Sequence, residues 1–364
     1  MIGSPVASLD TPALLVDLDR FEHNLSHCVA GLAGRVALRP HLKTAKSPAV
    51  ALRLLSSGAQ GICVAKLGEA EVMLAAGVPD IHMTSEFVGA VKFQRFIHLF
   101  SAYPDRRLSI VIDSSEVAQG LQAALAAAEC GPIRVLIDVN IGHDRCGVAP
   151  ERASHLANEI RGCDRLHIVG VQGYEGHLQH VREHDERRRL CHQALAQLIT
   201  VAESLRSEGH TVEVVTTGGT GTAMFCAEYP GVTEVQPGSF AFMDADYLDT
   251  KGLGYVSALT VVATVISCPT QQRVIVDAGL KALSDDSGPA GLVGVPGWIY
   301  HEVGDEHGRL TSARPDPPRL PVGTRVELTP SHVDPTINLH DVIYAHRKGL
   351  IEEVWAISAR GKSQ

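Results

Sequence analysis

Eight short runs of β-type residues alternate with helical segments through the first two thirds of the chain, and this alternation constrains the fold most. The predicted strands are Val36–Leu42, Gly61–Leu67, Asp80–Ser85, Leu108–Asp113, Ile133–Asn140, His167–Tyr174, Thr211–Thr217 and Glu234–Phe242. Strands that alternate with helices run parallel, and eight of them favour a closed (β/α)8 barrel of the TIM type. An open doubly wound sheet is typical of fewer strands and a glycine-rich turn after the first strand, and the sequence has no such turn.

The segments between these strands have the sequence features of helices. They include Ser47–Ser57, Leu67–Ala76, Ser115–Glu129, Glu151–Gly162 and Glu183–Glu208. The last of them places apolar residues at roughly helical spacing with many charges between them. Ser47 followed by Pro48 predicts an N-cap with proline at the first helical position.

The pattern changes after about Tyr247, where strands follow one another with little helix between them. These strands are Val256–Ser267, Arg273–Asp277, Trp298–Val303, Arg325–Leu328, Val342–Ala345 and Ile351–Ile357. We therefore predict an α/β chain with a barrel domain at 18–247. A second, mainly β domain is predicted for residues 1–17 together with 248–364.

The composition narrows the class of protein. Apolar residues make up 45% of the chain, enough for a substantial core, and the formal charge of −9 shows no block of like charge. This argues against nucleic acid and against an anionic membrane surface as partners. The first ten residues have neither the basic start nor the apolar run of a signal peptide, and the eight cysteines form no CxxC pair. We therefore expect reduced thiols in a cytoplasmic protein.

The first predicted strand ends in Arg39-Pro40-His41-Leu42-Lys43. Active sites of such barrels lie at the carboxyl ends of the strands, so Lys43 would reach the barrel mouth. A partly buried amine loses its proton readily, which makes Lys43 a candidate Schiff-base lysine. The alternative interpretation is a lysine whose stem covers apolar surface while its charge reaches solvent.

Two glycine-containing turns follow the seventh and eighth predicted strands. The first is Thr216-Thr217-Gly218-Gly219-Thr220-Gly221-Thr222, and the second is Gly238-Ser239-Phe240. Glycine lets backbone N–H groups approach a phosphate, and these two loops are where barrels often bind one. Tight turns without a ligand are the alternative for each loop alone, but their joint occurrence favours a phosphate site.

Polar residues also follow the fifth and sixth predicted strands. Tyr174 could pack on a flat cofactor, and His180 could act as a general base. Arg145, in the loop after the fifth strand, could pair with an anionic oxygen. Each alone is also explained by a packed aromatic ring, a surface histidine or a surface ion pair.

The stretch Pro330-Ser331-His332-Val333-Asp334-Pro335 stands out in the β domain. In an extended chain, residues two apart point to the same side, so His332 and Asp334 would present a nitrogen and a carboxylate to one point. This pair suits Mn²⁺ or Mg²⁺, with Zn²⁺ as the alternative. With 18 histidines in the chain, chance His-x-Asp pairs are also expected.

Taken in order, these motifs resemble the D-threonine aldolase family, within the fold type III pyridoxal-phosphate enzymes that share the alanine-racemase-type barrel. The resemblance covers almost the whole chain. It is carried by Asp10-Thr11-Pro12, the motif that ends in Lys43, Gly61-Ile62-Cys63, Arg145-Cys146-Gly147-Val148, the glycine-rich loop, Gly238 through Asp244, Pro330 through Thr336 and Asn338-Leu339-His340-Asp341.

The resemblance implies a role for each matching position. Lys43 would carry pyridoxal 5'-phosphate as a Schiff base, while Arg145 and Tyr174 would line the pyridoxal ring. His180, six residues after Tyr174, would be the catalytic base. The cofactor phosphate would be held by Thr216, Gly218, Gly219, Gly238 and Ser239.

The same resemblance assigns a divalent metal to His332 and Asp334.

Two positions depart from the family pattern. Relatives commonly carry histidine after the strand-six tyrosine, where this chain has Glu175, and often glutamine where it has Ala65. Both departures would alter details of the pocket, and neither touches Lys43 or the metal pair.

The resemblance implies cleavage of β-hydroxy-D-amino acids such as D-threonine to glycine and an aldehyde. The nearest alternative is a D-serine or 3-hydroxyaspartate dehydratase, or a hydroxyaspartate aldolase, on the same scaffold. The dehydratases carry His-x-Cys at the metal pair, so Asp334 favours the aldolase. A non-catalytic pyridoxal-phosphate-binding protein would resemble the barrel alone. A homodimer is the expectation from the fold group.

Overall fold

A short 3-10 turn (Val6–Ser8) precedes the first strand, β1 (Ala13–Asp17), which continues into helix α1 (Leu18–Leu32). The structure, a computed structural model, describes residues 1–32 and 34–364. They fall into two compact units. The larger comprises residues 29–43, 51–238 and 362–364, and the smaller comprises 1–28, 44–50 and 239–361.

Eight parallel strands form the centre of the larger unit. They are β2 (Ala37–Leu38), β3 (Ile62–Val64), β4 (Asp80–Met83), β5 (Arg107–Ile112), β6 (Ile133–Val139), β7 (Leu166–Gly173), β8 (Val214–Thr217) and β9 (Glu234–Val235). Their order is β2-β9-β8-β7-β6-β5-β4-β3, and a parallel bridge between His41 and Cys63 joins the two outer strands. The predicted TIM-type barrel is therefore confirmed.

Helices follow most of the barrel strands, as the alternation predicts. They are α2 (Pro48–Ser56), α3 (Leu67–Ala75), α4 (Ala90–Ala102), α5 (Ser115–Ala127), α6 (Ala153–Glu159), α7 (His184–Ser207) and α8 (Ala223–Glu228). The side chain of Ser114 accepts a hydrogen bond from the Val117 N–H and caps α5. Helix α2 starts at Pro48 as predicted, but the buried Ser47 hydroxyl has no partner among the described residues. The side-chain cap predicted from Ser47 is therefore wrong.

The observed β2 and β9 are shorter than the predicted Val36–Leu42 and Glu234–Phe242. Proline has no N–H to donate to a strand ladder, and Pro40 and Pro237 follow soon after these strands. The segment after β9 instead forms a short 3-10 turn, Ser239–Ala241.

Polar side chains cross the inside of the barrel from β4 to β7. The ring of His82 bonds Ser109 Oγ at 2.9 Å and Gln172 Oε1 at 3.0 Å, and Gln172 Nε2 donates to Asp138 Oδ1 at 2.8 Å. Burial, together with the charge of Arg39, lowers the pKa of His82 to about 4. The histidine is therefore neutral at physiological pH, and its hydrogen bonds link β4 to the adjacent β5 and, across the barrel, to β7.

The smaller unit contains a nine-stranded sheet with two short helices, α9 (Ala245–Leu248) and α10 (Val333–Asn338). The sheet consists of β1 and eight further strands. These are β10 (Leu259–Thr270), β11 (Arg273–Val276), β12 (Gly291–Leu292), β13 (Ile299–Glu302), β14 (Gly308–Thr311), β15 (Arg325–Thr329), β16 (Val342–Arg347) and β17 (Leu350–Ala356). The order is β13-β14-β11-β10-β1-β16-β17, and β15 pairs with β10 and β12. The amino-terminal β1 lies between β10 and β16, so the mainly β unit includes the start of the chain as well as its end.

Aromatic side chains fill part of the core of this unit. Phe21 of α1 lies 5.4 Å from Trp355 and 5.6 Å from Phe242, measured between ring centroids. All three rings are buried.

Within the described residues, no helix combines the length and apolar character needed to cross a membrane.

Candidate active site

Lys43 follows β2 in a short turn at the carboxyl end of the barrel and is half-buried. Its backbone N–H donates to His41 Nδ1 at 3.2 Å, and His41 Nε2 bonds Thr84 Oγ1 at 2.8 Å, just beyond β4. The histidine therefore ties the lysine turn to the neighbouring side of the barrel. The turn is held by hydrogen bonds on a rigid scaffold, which suits a residue that must be positioned for chemistry.

Cationic and aromatic groups from the loops after β6 and β7 contact one another. The guanidinium carbon of Arg145 lies 5.7 Å from the ring centroid of Tyr174, and His143 meets the same ring edge-on at 5.5 Å. The pKa of His143 is lowered by partial burial and by the charges of Arg145, His177 and Lys43. Lys43, Arg145 and Tyr174, which were predicted separately, are thus neighbours of one imidazole.

His143 was not among the predicted site residues. It precedes Arg145 by two positions in the loop Gly142-His143-Asp144-Arg145, and this closeness in sequence is the feature that could have identified it as a site residue. Its contact with Tyr174 brings together loops after β6 and β7, which the sequence alone does not specify.

The glycine-rich loop after β8 is fixed by two side chains from the segment after β7. The fully buried Glu175 accepts hydrogen bonds from Thr217 Oγ1 at 2.8 Å and Thr222 Oγ1 at 2.5 Å. Gln179 Nε2 donates to Thr222 Oγ1 at 2.9 Å, and Gln179 Oε1 accepts from the Gly221 N–H at 2.8 Å. The buried carboxylate of Glu175 is therefore satisfied by hydroxyl donors.

The predicted phosphate residues take different roles in this loop. Gly218 has a φ of +82°, which only glycine adopts readily, and its N–H points to Glu175 at 3.4 Å. The Gly219 N–H donates to Thr222 Oγ1 at 3.1 Å. Thr216 Oγ1 accepts from Gln236 Nε2 at 2.7 Å, which connects the end of β8 to the segment after β9. Gly238 is the last residue of that segment before the 3-10 turn Ser239–Ala241.

His180 lies in the same connection as Glu175 and Gln179, after a short 3-10 turn from Gly176 to Leu178. The turn is held by backbone hydrogen bonds from Leu178 to Glu175 and from Gln179 to Gly176. The His180 side chain is exposed.

The predicted metal pair lies at the start of α10, and the expectation of an extended chain through both residues is wrong. His332 is the N-cap and has extended dihedral angles, but Asp334 is in the first helical turn. The helix begins at Val333 because its N–H donates to Asp244 Oδ2 at 3.1 Å, and Pro335 fits a first turn without needing a donor. Both candidate ligands thus sit at the amino end of one short helix.

Three neighbours surround this pair within the smaller unit. His332 Nδ1 bonds Asp286 Oδ2 at 2.8 Å, and Ser239 Oγ donates to Asp334 Oδ1 at 3.4 Å. Burial raises the pKa of Asp244 to about 6, although the N–H groups of Tyr247 and Val333 oppose this shift. Asp244 and Asp286 were not predicted as site residues, because their contacts link positions 46 to 89 residues apart.

A second group of metal-binding residue types is Glu175, Cys191 and Cys226, all buried in the larger unit. The two sulfur atoms lie 3.7 Å apart. Burial raises the pKa of Cys226 far above its usual value, with the neighbouring thiol of Cys191 and the charge of Glu175 adding to the effect. A metal binds the thiolate form, so this environment favours protonated, packed thiols over a metal centre.

The donor sets fit the two groups predicted for them. Lys43 and Arg145 both lower the pKa of His143, and Arg145 and His143 contact the Tyr174 ring. Together they supply the amine, guanidinium and aromatic ring that a flat, anionic aldehyde cofactor requires. His332 and Asp334 supply one nitrogen and one carboxylate oxygen, which suits a divalent ion that keeps open positions.

Comparison with known proteins agrees with this architecture. Residues 16–246 match the family described as alanine racemase, N-terminal domain, and residues 258–346 match the putative serine dehydratase domain. A D-threonine aldolase of Arthrobacter sp is 40% identical over 368 residues, which is 100% of this chain and 96% of the relative. The structure of D-threonine aldolase from Filomicrobium marinum is 38% identical with a TM-score of 0.93, covering 100% of this chain and 99% of that one.

A third similar protein is the D-threo-3-hydroxyaspartate dehydratase from Delftia sp. HT23. It is 28% identical with a TM-score of 0.88 and covers 97% of this chain and 98% of its own. It was also solved as a cysteine-to-alanine variant in a metal-free form, and as a histidine-to-alanine variant two positions earlier in its chain.

The chain belongs to the alanine-racemase-type family of barrel enzymes, and membership of this family implies pyridoxal phosphate as the cofactor. Within that family it is a lyase of the D-threonine aldolase type.

Proposed function

We propose that this enzyme cleaves D-threonine and related β-hydroxy-D-amino acids to glycine and an aldehyde, with pyridoxal phosphate on Lys43 and a divalent ion on His332 and Asp334. The observation that carries the proposal is the His-x-Asp pair at the start of α10, in a chain similar over its full length to a D-threonine aldolase. The homologous dehydratase was studied through a histidine and a cysteine with the same spacing.

When bound, pyridoxal phosphate supplies an electron sink for the bond that breaks, and the divalent ion supplies a Lewis acid for the substrate hydroxyl. Lys43 would hold the cofactor, and Arg145 and Tyr174 would line its ring. Thr216, Gly218, Gly219, Gly238 and Ser239 would hold its phosphate. The hydrogen bonds of Glu175 and Gln179 support this role, because they hold the glycine-rich loop in one conformation.

His180 would remove the proton from the substrate β-hydroxyl. Its exposed side chain supports this role, because a general base must pass the proton on to solvent. His177 lies three positions earlier in the same segment, with its ring centroid 6.3 Å from that of His143, and is the next candidate for the base.

The choice between aldol cleavage and dehydration depends on what happens to the β-hydroxyl. Dehydration needs the Cα proton removed and the hydroxyl expelled with its electron pair. Aldol cleavage needs the hydroxyl held and deprotonated, so that its oxygen becomes the carbonyl oxygen of the aldehyde. A hard carboxylate ligand at position 334 and a base at His180 favour the second outcome.

Product analysis with D-threonine tests the proposal directly. The aldolase gives glycine and acetaldehyde, chelator treatment abolishes this activity, and Mn²⁺ restores it. Predominant 2-oxobutanoate and ammonia would instead establish a dehydratase, and full activity in metal-free protein would remove the metal from the proposal. We expect L-threonine to be inert.

Two alternative functions would give different results in this experiment. A 3-hydroxyaspartate dehydratase is favoured by the similarity to the Delftia enzyme. Competition between D-threonine and 3-hydroxy-D-aspartate distinguishes it, and likewise a 3-hydroxyaspartate aldolase, from the proposed activity. A non-catalytic pyridoxal-phosphate-binding protein would turn over neither compound. The match of residues 258–346 to the dehydratase domain argues against it.

The proposal extends to the setting of the enzyme. We place the cofactor-binding barrel domain at 18–247 and the metal pair in a domain of residues 1–17 and 248–364. We expect Mn²⁺ or Mg²⁺ in preference to Zn²⁺, a homodimer and a cytoplasmic location. All eight cysteines are free thiols, six of them buried, as expected in a reducing compartment.

A further inference from the structure

We propose that Asp286 is a positioning residue for the metal site, which holds the His332 ring so that Nε2 faces the divalent ion. The inference rests on the proposed function, because it assigns a role toward the metal of the His332 and Asp334 pair. It adds a residue that the His-x-Asp motif does not contain.

The contact between the two side chains is specific. Asp286 Oδ2 lies 2.8 Å from His332 Nδ1, a normal distance for a charge-assisted hydrogen bond. The side chains of Asp286 and His332 are 50% and 36% exposed, so burial alone does not force them together. A solvent-exposed pair keeps a single geometry only when other contacts fix its members.

Ser284 fixes the carboxylate. Its hydroxyl donates to Asp286 Oδ1 at 2.7 Å, and the backbone N–H of Asp286 points back to the same hydroxyl at 3.4 Å. The two carboxylate oxygens therefore have different partners: Oδ1 faces Ser284 and Oδ2 faces His332. This division sets the rotation of the carboxylate before any metal binds.

The loop that carries Asp286 is also attached to the motif on both sides of His332. Ser331 Oγ donates to the Ser284 carbonyl at 3.2 Å, and the Ser284 N–H donates to Thr336 Oγ1 at 3.2 Å. Thr336 Oγ1 in turn donates to the His332 carbonyl at 2.8 Å. The distance between the carboxylate and the imidazole is thus fixed through backbone as well as side-chain contacts.

The chemistry of imidazole gives this contact its consequence. A carboxylate accepts from Nδ1–H, which leaves the lone pair on Nε2 as the metal ligand and sets the ring plane. Asp286 does not act as a third ligand in this arrangement. Among the described residues, His332, Asp334 and Asp286 do not bring three ligand atoms within 4.8 Å of one another.

The test measures Mn²⁺ affinity, by the free-ion signal in electron paramagnetic resonance, on purified holoenzyme treated with chelator. Asp286→Ala should weaken Mn²⁺ binding by about 10- to 100-fold. Asp286→Asn, which keeps an oxygen that can accept from Nδ1–H, should weaken it less. Asp285→Asn is the matched control, because it removes the same charge from the adjacent exposed residue, and it should change affinity less than about threefold.

A double variant separates positioning from direct ligation. If Asp286 acts through His332, adding Asp286→Ala to His332→Ala should cause no further loss of Mn²⁺ affinity. A further loss of tenfold would make Asp286 a ligand in its own right and overturn the inference, as would equal affinities for Asp286→Ala and Asp285→Asn.

These outcomes are distinct from a failure of the proposed function. Wild-type enzyme that binds Mn²⁺ and cleaves D-threonine, with Asp286→Ala unchanged, refutes the positioning role alone. Wild-type enzyme that binds no divalent ion refutes both. Unchanged cofactor absorbance and thermal unfolding in Asp286→Asn keep the comparison valid if the alanine variant folds poorly.

Discussion

The two ends of the barrel treat charge in opposite ways. Asp80 and Glu234 begin β4 and β9, and they bond the side chain of Arg39, which follows β2, at 2.7 Å and 2.6 Å; all three residues are buried. Burial opposes the charge of Arg39, but Glu234 and Asp80 outweigh it and raise its pKa above the usual value. At the carboxyl ends, Lys43 and Arg145 both lower the pKa of His143, so like charges are gathered instead.

This difference separates stability from function within one scaffold. Opposite charges in a low-dielectric interior hold one conformation, and breaking them leaves an uncompensated ion. Positive charges placed together weaken the free protein slightly, but they create the potential that an anionic cofactor or substrate requires. We therefore expect substitutions at the mouth to change activity and substitutions at the other end to change folding.

The sharpest test of the contrast is Lys43→Ala. It should abolish nearly all turnover and remove the covalent cofactor adduct that borohydride fixes, because the attachment point is lost. The free energy of unfolding should change by less than about 1 kcal/mol, as is usual away from buried networks. Absorbance spectra, peptide mapping and urea titration measure the three effects. An adduct mapped to Lys46 or Lys66 instead would show that the wrong lysine was assigned.

At the other end, Arg39→Met should destabilise the fold by about 3–5 kcal/mol, since it leaves two buried carboxylates without their cation. Arg107→Ala is the matched control. Arg107 reaches the same Asp80 at 3.5 Å but is 64% exposed, so its loss should cost about 0–1 kcal/mol. Urea denaturation of both variants gives the comparison, and equal midpoints would show that the buried pair contributes nothing special.

His180→Gln should lower kcat by about 10²–10⁴-fold while cofactor absorbance and unfolding stay unchanged. His177→Gln is the control, because this exposed histidine lies in the same segment. Steady-state kinetics on D-threonine decide the assignment. A loss below about tenfold for His180→Gln, with a larger one for His177→Gln, would move the base to His177.

Between the two ends, His82 predicts a smaller, pH-dependent effect. Its pKa is about 4 in the folded protein and about 6.5 in an unfolded chain, so the unfolded state binds the proton more readily. Stability from this residue is therefore complete above about pH 6.5 and falls as pH drops toward 4, by up to about 3 kcal/mol. His82→Gln should flatten the pH dependence of unfolding in this window, and an unchanged slope would contradict the buried, neutral histidine.

The alternation of strands and helices was enough to predict the barrel, because each period is set by residues close together in sequence. The motif ending in Lys43 and the loop containing Arg145 could likewise be placed at strand ends. Glu175 was noticed as a departure, but its hydrogen bonds to Thr217 and Thr222 connect residues more than 40 positions apart. Such contacts depend on strand register, which one sequence does not specify.

The error at the His-x-Asp motif has a similar origin. The sequence around His332 contains prolines and β-branched residues, which fit an extended chain as well as a helix start. The helix forms because Asp244, nearly 90 positions earlier, accepts a hydrogen bond from the first helical N–H. Asp286 escaped prediction for the same reason, since only the folded chain brings it to His332.

The position of β1 has a consequence for how the protein is made. Leu15 pairs with Thr260 on one side and with Tyr344 on the other, so this strand is complete only after segments far away in the sequence have folded beside it. Long sequence separation slows folding, and an apolar strand without partners is a site for aggregation. A chain without β16 would leave one edge of β1 unpaired, with β10 still covering the other, so we expect such a chain to aggregate more readily than the full one.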